Sequence, residues 1–205
     1  MNIQNIADNN QKENYLATIP FYVSFVTNVN TATVQVLLLN IANKLFDPKQ
    51  PVKFNELHLL LSTQGGSVEH GIIAYNFLRG LPVKVITYNI GQINSIGNVI
   101  FLAGEERYSS TTSSFMFHGV GFEGVQQRLD LKVIKEREDH LKNDQDLISS
   151  IISARTTITP SDINAMFLNQ TFLNVEDAHK RNIFHAIKDI QIPRDADFTQ
   201  LAFNG

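Results

Sequence analysis

Two near-continuous apolar runs constrain the fold of this chain more than any other feature of its sequence. They are ELHLLLST at 56–63 and VKVITYNI at 83–90. A strand that is apolar at almost every position has both faces covered, as in a parallel sheet that lies between helices. Between the two runs, apolar residues recur at the spacing of one helix face: Val68, Ile72, Tyr75 and Leu78. This pattern predicts a βαβ unit.

The same alternation continues on both sides of this unit. Further strands are predicted at 21–27, 115–118 and 183–190. Helices are predicted from Asn30 or Thr31 to about 45, from 67 to 80, from 95 to about 103, and near 175–182. This order predicts one layered α/β domain over residues 20–205, preceded by a frayed N-terminal segment, 1–19.

The segment from Gln127 to about Thr156 departs from this alternation. It is predicted to be one long helix, with apolar residues near both ends and the polar stretch KEREDHLKNDQD between them. A helix with such a middle is solvated on all sides there. We therefore expect an arm, within about 119–156, that projects from the domain.

The composition excludes several classes of function. A net charge of -3 and a pI near 6.0 provide no basic surface for nucleic acid. The chain has no cysteine, which excludes disulfides, zinc–thiolate sites and cysteine nucleophiles. The N-terminus lacks the layout of a signal peptide, and no apolar run approaches the roughly 18 residues of a membrane span. We expect a cytoplasmic protein outside the membrane, with no cofactor because no metal- or phosphate-binding motif is present.

Three features lie where α/β proteins place their active sites, just beyond the carboxyl ends of strands. They are the pair Gly65-Gly66 after the first apolar run, Ser95 at a strand-to-helix junction, and His118 at the end of FMFH. Taken singly, each has a simpler explanation: a tight turn, a helix cap and a structural histidine. Their order and spacing together indicate a catalytic site.

The three segments resemble the proteolytic subunit of the Clp protease family. LLLSTQGGSVEHGIIAYNFLR matches the family's strand, glycine-rich turn and helix, and VITYNIGQINSIGNVIFLAGEERY matches its serine segment. SSFMFHGVGFEG matches its histidine strand and the strand that follows. The resemblance covers roughly residues 20–190 and implies the layered βαβ spiral that this family shares with the crotonases, with a projecting handle helix.

The resemblance implies a role for each of these residues. Ser95 becomes the nucleophile and His118 the general base that removes its proton. The backbone N–H groups of Gly66 and Ile96 become the donors that stabilise the oxyanion. Contacts with an extended peptide substrate are implied for one set of residues: Gly65, Gly121, Phe122, Glu123 and Gly124.

The third member of the catalytic triad departs from the family pattern. Alignment of NQTFLNVEDA (169–178) places Gln170 where the family has an aspartate. A glutamine oxygen can accept the histidine N–H and hold its tautomer, but it offers no charge to the imidazolium. The nearby alternatives are Asn169, Asn174, Glu176, Asp177 and Asp162. Glu176 and Asp177 are expected on the following helix, and Asp162 is expected to serve its own helix start.

The resemblance also implies partners. The family's handle helices stack two heptameric rings face to face and enclose the serines, so we expect a ring of identical subunits. The apolar handle residues would be buried between subunits: Val133, Ile134, Leu147 and Ile151. The enclosed chamber would admit unfolded chains or short peptides, supplied by an AAA+ unfoldase.

Three other functions compete with a serine peptidase. A crotonase-type enzyme would use paired backbone N–H groups without a serine and histidine, so Ser95 and His118 disfavour it. A serine–lysine peptidase would need a lysine base, and Lys84 lies on the wrong part of a strand. A catalytically impaired subunit that only supports a ring is favoured by the missing aspartate and opposed by the retained serine and histidine.

Overall fold

The computed structural model describes residues 18–49, 52–122 and 130–203. These residues form one eight-stranded sheet. Its main path runs through β6 (Thr171–Leu173), β5 (Ser114–Phe117), β3 (Lys84–Asn94), β2 (Lys53–Thr63), β1 (Thr18–Val26) and β8 (Asp197–Gln200). Beside this path, β4 (Glu106–Ser109) pairs with β3, and β7 (Ala186–Ile187) pairs with β4. The strands pair in parallel, except for the antiparallel pair β5 and β6. The predicted α/β architecture with parallel, buried strands is confirmed.

The elements follow each other along the chain in the predicted alternation. The strands are β1 Thr18–Val26, β2 Lys53–Thr63, β3 Lys84–Asn94, β4 Glu106–Ser109, β5 Ser114–Phe117, β6 Thr171–Leu173, β7 Ala186–Ile187 and β8 Asp197–Gln200. The helices are α1 Thr31–Phe46, α2 Val68–Arg79, α3 Gly97–Phe101, α4 Leu131–Arg155, α5 Pro160–Leu168 and α6 Val175–Lys180. Within the described ranges, no helix is both long and apolar enough to cross a membrane.

The central strands are buried as their apolar sequences require. Leu57, Leu59 and Leu61 of β2 are fully buried, and Phe21 and Phe25 of β1 lie in the same core. Helix α1 begins where the sequence predicts, because Asn30 and Thr33 form a reciprocal capping box.

The strand predicted at 83–90 is longer than expected: β3 continues through Gly91 to Asn94. The strand carries a bulge there, since its register against β2 shifts between Leu61 and Thr63. Before the bulge β3 pairs with β4, and after it β3 pairs with β5. A bulge re-aims a strand without ending it, so the last residues of β3 reach a new neighbour beside the site.

Other boundaries also differ from the predictions. Helix α3 is shorter than the predicted 95–103, and the strand predicted at 183–190 is reduced to Ala186–Ile187. The short strands β4, β6 and β8 are not predicted from the sequence. Each has only three or four residues, so its pattern of alternation is too short to distinguish from a loop.

The long helix α4 has the predicted polar middle. Ile148 and Ile152 near its C-terminal end are buried in the core, whereas Ile134 and Leu147 are 48% and 44% exposed. Its polar stretch carries ion pairs three and four residues apart, such as Lys135 with Asp139, which contribute little to stability at a solvated surface. The arm is therefore anchored at one end.

Arg107 ties the end of α4 and the C-terminal segments to β4. Its guanidinium is buried and donates hydrogen bonds to the carbonyl oxygens of Gly104, Arg155, Asn182 and Ile183. Burial lowers the pKa of Arg107 to about 10, with the neighbouring Arg155 charge as a further cause. Arg107 thus stays protonated at neutral pH, with carbonyl oxygens rather than a carboxylate as its partners.

Replacing Arg107 tests this anchor. Arg107→Met removes the donors of four buried carbonyl groups, and we expect the free energy of unfolding to fall by about 3 kcal/mol or more. Urea denaturation measures the change, with Arg194→Met as the matched control at an exposed arginine. An Arg107→Met protein that unfolds at the wild-type urea concentration would contradict this role.

Candidate active site

Ser95 lies in a sharp turn between β3 and α3. Its backbone φ is 55°, in the left-handed region that few non-glycine residues adopt. Its N–H donates to the carbonyl oxygen of Met116 in β5, at 2.9 Å. A strained strand-to-helix turn of this kind presents a side chain at the sheet edge, as the nucleophile elbow of α/β-hydrolases does.

Gly65 and Gly66 have backbone conformations that require glycine, with φ values of 94° and 141°. A Cβ atom on Gly65 would lie 2.6 Å from Ser95 Cβ, and one on Gly66 would lie 2.2 Å from the carbonyl oxygen of Val29. The glycine pair therefore serves two purposes: it makes the turn, and it lets this backbone lie directly against Ser95.

The backbone N–H groups of Gly66 and Ile96 are free to act as donors. Neither donates a hydrogen bond to any part of the chain that the structure describes. The Gly65 carbonyl accepts from Val29 N–H at 2.7 Å, and in a trans peptide this turns the Gly66 N–H away from Val29. Both residues line the cleft that contains Ser95.

His118 follows directly after β5, the strand that pairs with the end of β3. In this register Asn94 pairs with Met116, which brings the histidine to the level of the serine. Both residues line one cleft of about 570 Å³. His118 is exposed, and among the hydrogen bonds between described residues none joins it to Ser95. The two groups thus share a site without the contact that proton transfer requires.

Gln170 lies at the same end of the adjacent strand pair. Phe117 pairs with Thr171 in the antiparallel register of β5 and β6, so His118 and Gln170 are the next positions beyond this pair. Gln170 has a φ of 45° and an exposed side chain, and it does not line the cleft. The structure therefore brings the two residues to one strand end without a hydrogen bond between them.

The other candidates for the third member of the triad either form hydrogen bonds at the ends of helices or lie on the surface. Asn174 caps α6 by accepting from the Asp177 N–H, and Asp162 accepts from the Thr159 hydroxyl at the start of α5. Glu176 and Asp177 lie on α6, as predicted. The Asn169 side chain donates to the Ala165 carbonyl within its own helix. Gln170 is left as the residue nearest to His118 along the strands.

Only part of the predicted substrate strand is described. Gly65 and Gly121 line the cleft, whereas Phe122 packs against α4, with its ring stacked on His140 and 5.1 Å from the Arg137 guanidinium. Residues 119–122 form no strand. Glu123 and Gly124 lie outside the described residues.

The cleft also contains residues that the sequence analysis did not identify. Ile148 and Ile152 of α4 and Phe167 of α5 form an apolar wall, and Ser67, whose hydroxyl is 2.8 Å from His70 Nδ1, lies beside Gly66. Ile148, Ile152 and Phe167 lie far from Ser95 along the chain, and their periodic apolar pattern predicts burial but carries no signal for the site. Ser67 has the ordinary role of capping α2.

The comparison with known protein families decides the identity of this fold. A family model described as Clp protease matches residues 25–190. The chain belongs to the Clp protease family. The family match runs from the last residues of β1 through β7 and includes the glycine pair, Ser95 and His118. The predicted resemblance is confirmed.

Individual relatives of the Clp protease family agree with this assignment. One, described as the ATP-dependent Clp protease proteolytic subunit of Bdellovibrio bacteriovorus, is 32% identical over 91 residues, which cover 43% of this chain and 39% of the relative. The chain thus matches well under half the length of that relative. A mutant of ClpP1 from Listeria monocytogenes shares the fold, with a TM-score of 0.67, 20% identity, and coverage of 83% of this chain and 92% of the other.

The contact between the glycine turn and Ser95 can be tested by adding a single methyl group. Gly65→Ala places a Cβ atom 2.6 Å from Ser95 Cβ at an unfavourable φ, so we expect a loss of about 1–3 kcal/mol of stability. Gly121→Ala is the matched control in the same cleft, because a Cβ atom there meets no atom of the described residues within 4 Å. Thermal unfolding measures both variants, and equal melting temperatures would contradict the close approach.

Proposed function

We propose that this chain is a serine peptidase subunit that hydrolyses peptide bonds in unfolded polypeptides. Ser95 is the nucleophile, His118 is the general base, and the N–H groups of Gly66 and Ile96 stabilise the oxyanion. The observation that carries the proposal is the presence of two free backbone donors at the cleft that Ser95 and His118 line.

The reaction uses each of these groups in turn. His118 takes the proton from Ser95 Oγ as this oxygen attacks the peptide carbonyl carbon, and the carbonyl oxygen becomes an anion between the two N–H donors. Collapse breaks the C–N bond, and His118 gives its proton to the departing amine. A water molecule then attacks the acyl-enzyme, with His118 again as base, and releases a carboxylate and free Ser95.

The apolar wall of the cleft favours certain substrates. Ile148, Ile152 and Phe167 face the same space as Ser95, so an apolar side chain of the substrate would be removed from water there. Burial of such a side chain contributes roughly 1.5–3 kcal/mol. We therefore infer that peptides with an apolar residue beside the cleaved bond are preferred.

Because no hydrogen bond joins Ser95 to His118 among the described residues, assembly has a role in activity. His118 is exposed, and the next residues along the chain, 119–122, lead towards α4. Leu131, Ile134 and Leu147 of α4 are exposed apolar side chains that a neighbouring subunit would cover. We infer that identical subunits form a ring, that their contacts bring His118 to Ser95, and that an AAA+ unfoldase supplies the substrates.

One observation favours a second candidate function. Gln170 is neutral, so no described carboxylate supports the His118 imidazolium at the third position of the triad. A subunit impaired in this way could act as a structural member of a ring. The two candidates differ in one property, which is whether Ser95 reacts as a nucleophile.

Reaction with a fluorophosphonate distinguishes them. We expect the assembled protein to gain the mass of one adduct, because Ser95 Oγ displaces fluoride from phosphorus when His118 accepts its proton. Intact-mass spectrometry should find the adduct in wild type and in Ser150→Ala, an exposed serine on α4, and not in Ser95→Ala. An assembled wild-type protein without an adduct would support the structural subunit instead.

The third position can be tested by restoring a charge. Gln170→Asp places a carboxylate beside His118, and a carboxylate there stabilises the imidazolium that forms during attack. We expect the rate of adduct formation to rise by about tenfold or more, and to fall in Gln170→Ala. Because neutralising this residue in a related triad costs about 10⁴ in rate, an unchanged rate in both variants would exclude Gln170 from the triad.

A further inference from the structure

We propose that Asn98 is a positioning residue of the oxyanion site, which holds the peptide bond between Ser95 and Ile96 so that the Ile96 N–H faces the cleft. The inference rests on the proposed function, because it assigns a role in the same reaction. Asn98 itself does not touch the reacting atoms and acts through the backbone of Ser95.

Asn98 is the second residue of α3, and its side chain is buried, with 1% of the residue exposed. Its Nδ2 donates to the carbonyl oxygens of Ser95 and Met116, at 3.0 and 2.8 Å. Its backbone N–H also donates to the Ser95 carbonyl, at 3.1 Å. One residue therefore supplies two hydrogen bonds to the carbonyl of the nucleophile and a third to the strand that leads to His118.

The Ser95 carbonyl matters because it shares a peptide plane with the Ile96 N–H. The described peptide bonds include no cis bond, so this carbonyl and this N–H point in opposite directions. A hydrogen bond that fixes the direction of the carbonyl consequently fixes the direction of the N–H. Asn98 thus sets the orientation of one proposed oxyanion donor from the far side of the peptide.

The other donor is held by an equivalent contact made by the backbone alone. The Gly65 carbonyl, which shares a plane with the Gly66 N–H, accepts from Val29 N–H at 2.7 Å. Both donor peptides are therefore fixed through their carbonyls. Of the two, the Ser95–Ile96 peptide also has a side chain among its partners.

The orientation of the Asn98 amide follows from its partners. Two carbonyl oxygens can only accept hydrogen bonds, so the amide nitrogen must face them. Its oxygen Oδ1 is then left buried, with no hydrogen-bond partner among the described residues. A buried acceptor without a partner opposes stability, so packing alone does not explain an amide at this position. The need for a donor between two carbonyls does explain it.

Two substitutions remove the donor in different ways, and a third controls for stability. Asn98→Ala removes the side chain, and Asn98→Asp keeps its shape while replacing Nδ2 with an oxygen. Asn89→Asp is the matched control: Asn89 is equally buried and donates from Nδ2 to the Ser114 carbonyl in β5, at 2.9 Å. The aspartate loses this donor and keeps the oxygen that accepts from the Gly91 N–H at the bulge. All three variants loosen the contact between β3 and β5, and only the first two affect the oxyanion peptide.

A saturable peptidyl diphenyl phosphonate separates positioning from binding. We expect the maximal inactivation rate of Asn98→Ala and Asn98→Asp to fall by about 10- to 100-fold, since the loss of one oxyanion donor costs about 10²–10³. The half-saturating concentration should stay unchanged, and Asn89→Asp should retain the wild-type rate. Wild-type rates in both Asn98 variants, or an equal loss in Asn89→Asp, would overturn the proposal.

Amide hydrogen exchange provides a readout that does not depend on activity. In Asn98→Ala, we expect faster exchange in the peptide that contains the Ser95 N–H, while the corresponding peptide of Asn89→Asp should exchange as in wild type. Unchanged exchange at Ser95 in Asn98→Ala would overturn the positioning role. If wild type does not react with the phosphonate, the proposed function fails, and exchange then decides separately whether Asn98 holds the turn.

Discussion

The hydrogen bond between the Ser95 N–H and the Met116 carbonyl, 2.9 Å long, is the contact on which the site depends. It extends the pairing of β3 with β5 by one residue, and it joins the serine turn to the strand that His118 directly follows. This pairing exists only because β3 bulges at Gly91 and leaves β4 for β5. The position of the serine relative to the histidine is therefore a consequence of the topology of the sheet.

The same contact explains why the site lies at a junction and not within an element. Ser95 has a left-handed backbone conformation, which neither a strand nor a helix would allow. The glycine turn approaches it closely enough to exclude any side chain at Gly65. The cost of this strained backbone is offset by hydrogen bonds that fix both neighbouring peptides. The result is two N–H groups that lie at one cleft and have no partner among the described residues.

Much of this arrangement could be predicted from the sequence. The buried strands β2 and β3 are nearly continuous apolar runs, and the glycine pair, Ser95 and His118 follow strands as the family pattern requires. The bulge at Gly91, the short strands and the roles of Asn98 and Phe167 could not be predicted. They depend on which strand lies beside which, and no local pattern of residues encodes a neighbour that is distant in the chain.

That no hydrogen bond joins Ser95 to His118 among the described residues also could not be predicted, because a motif specifies residues and not the contacts between them. The most direct test of the whole account is a crystal structure of the phosphonylated protein. The account predicts phosphorus bonded to Ser95 Oγ and a phosphonyl oxygen about 2.7–3.1 Å from the nitrogens of both Gly66 and Ile96. A phosphonyl oxygen that contacts neither nitrogen, or an adduct on another residue, would contradict it.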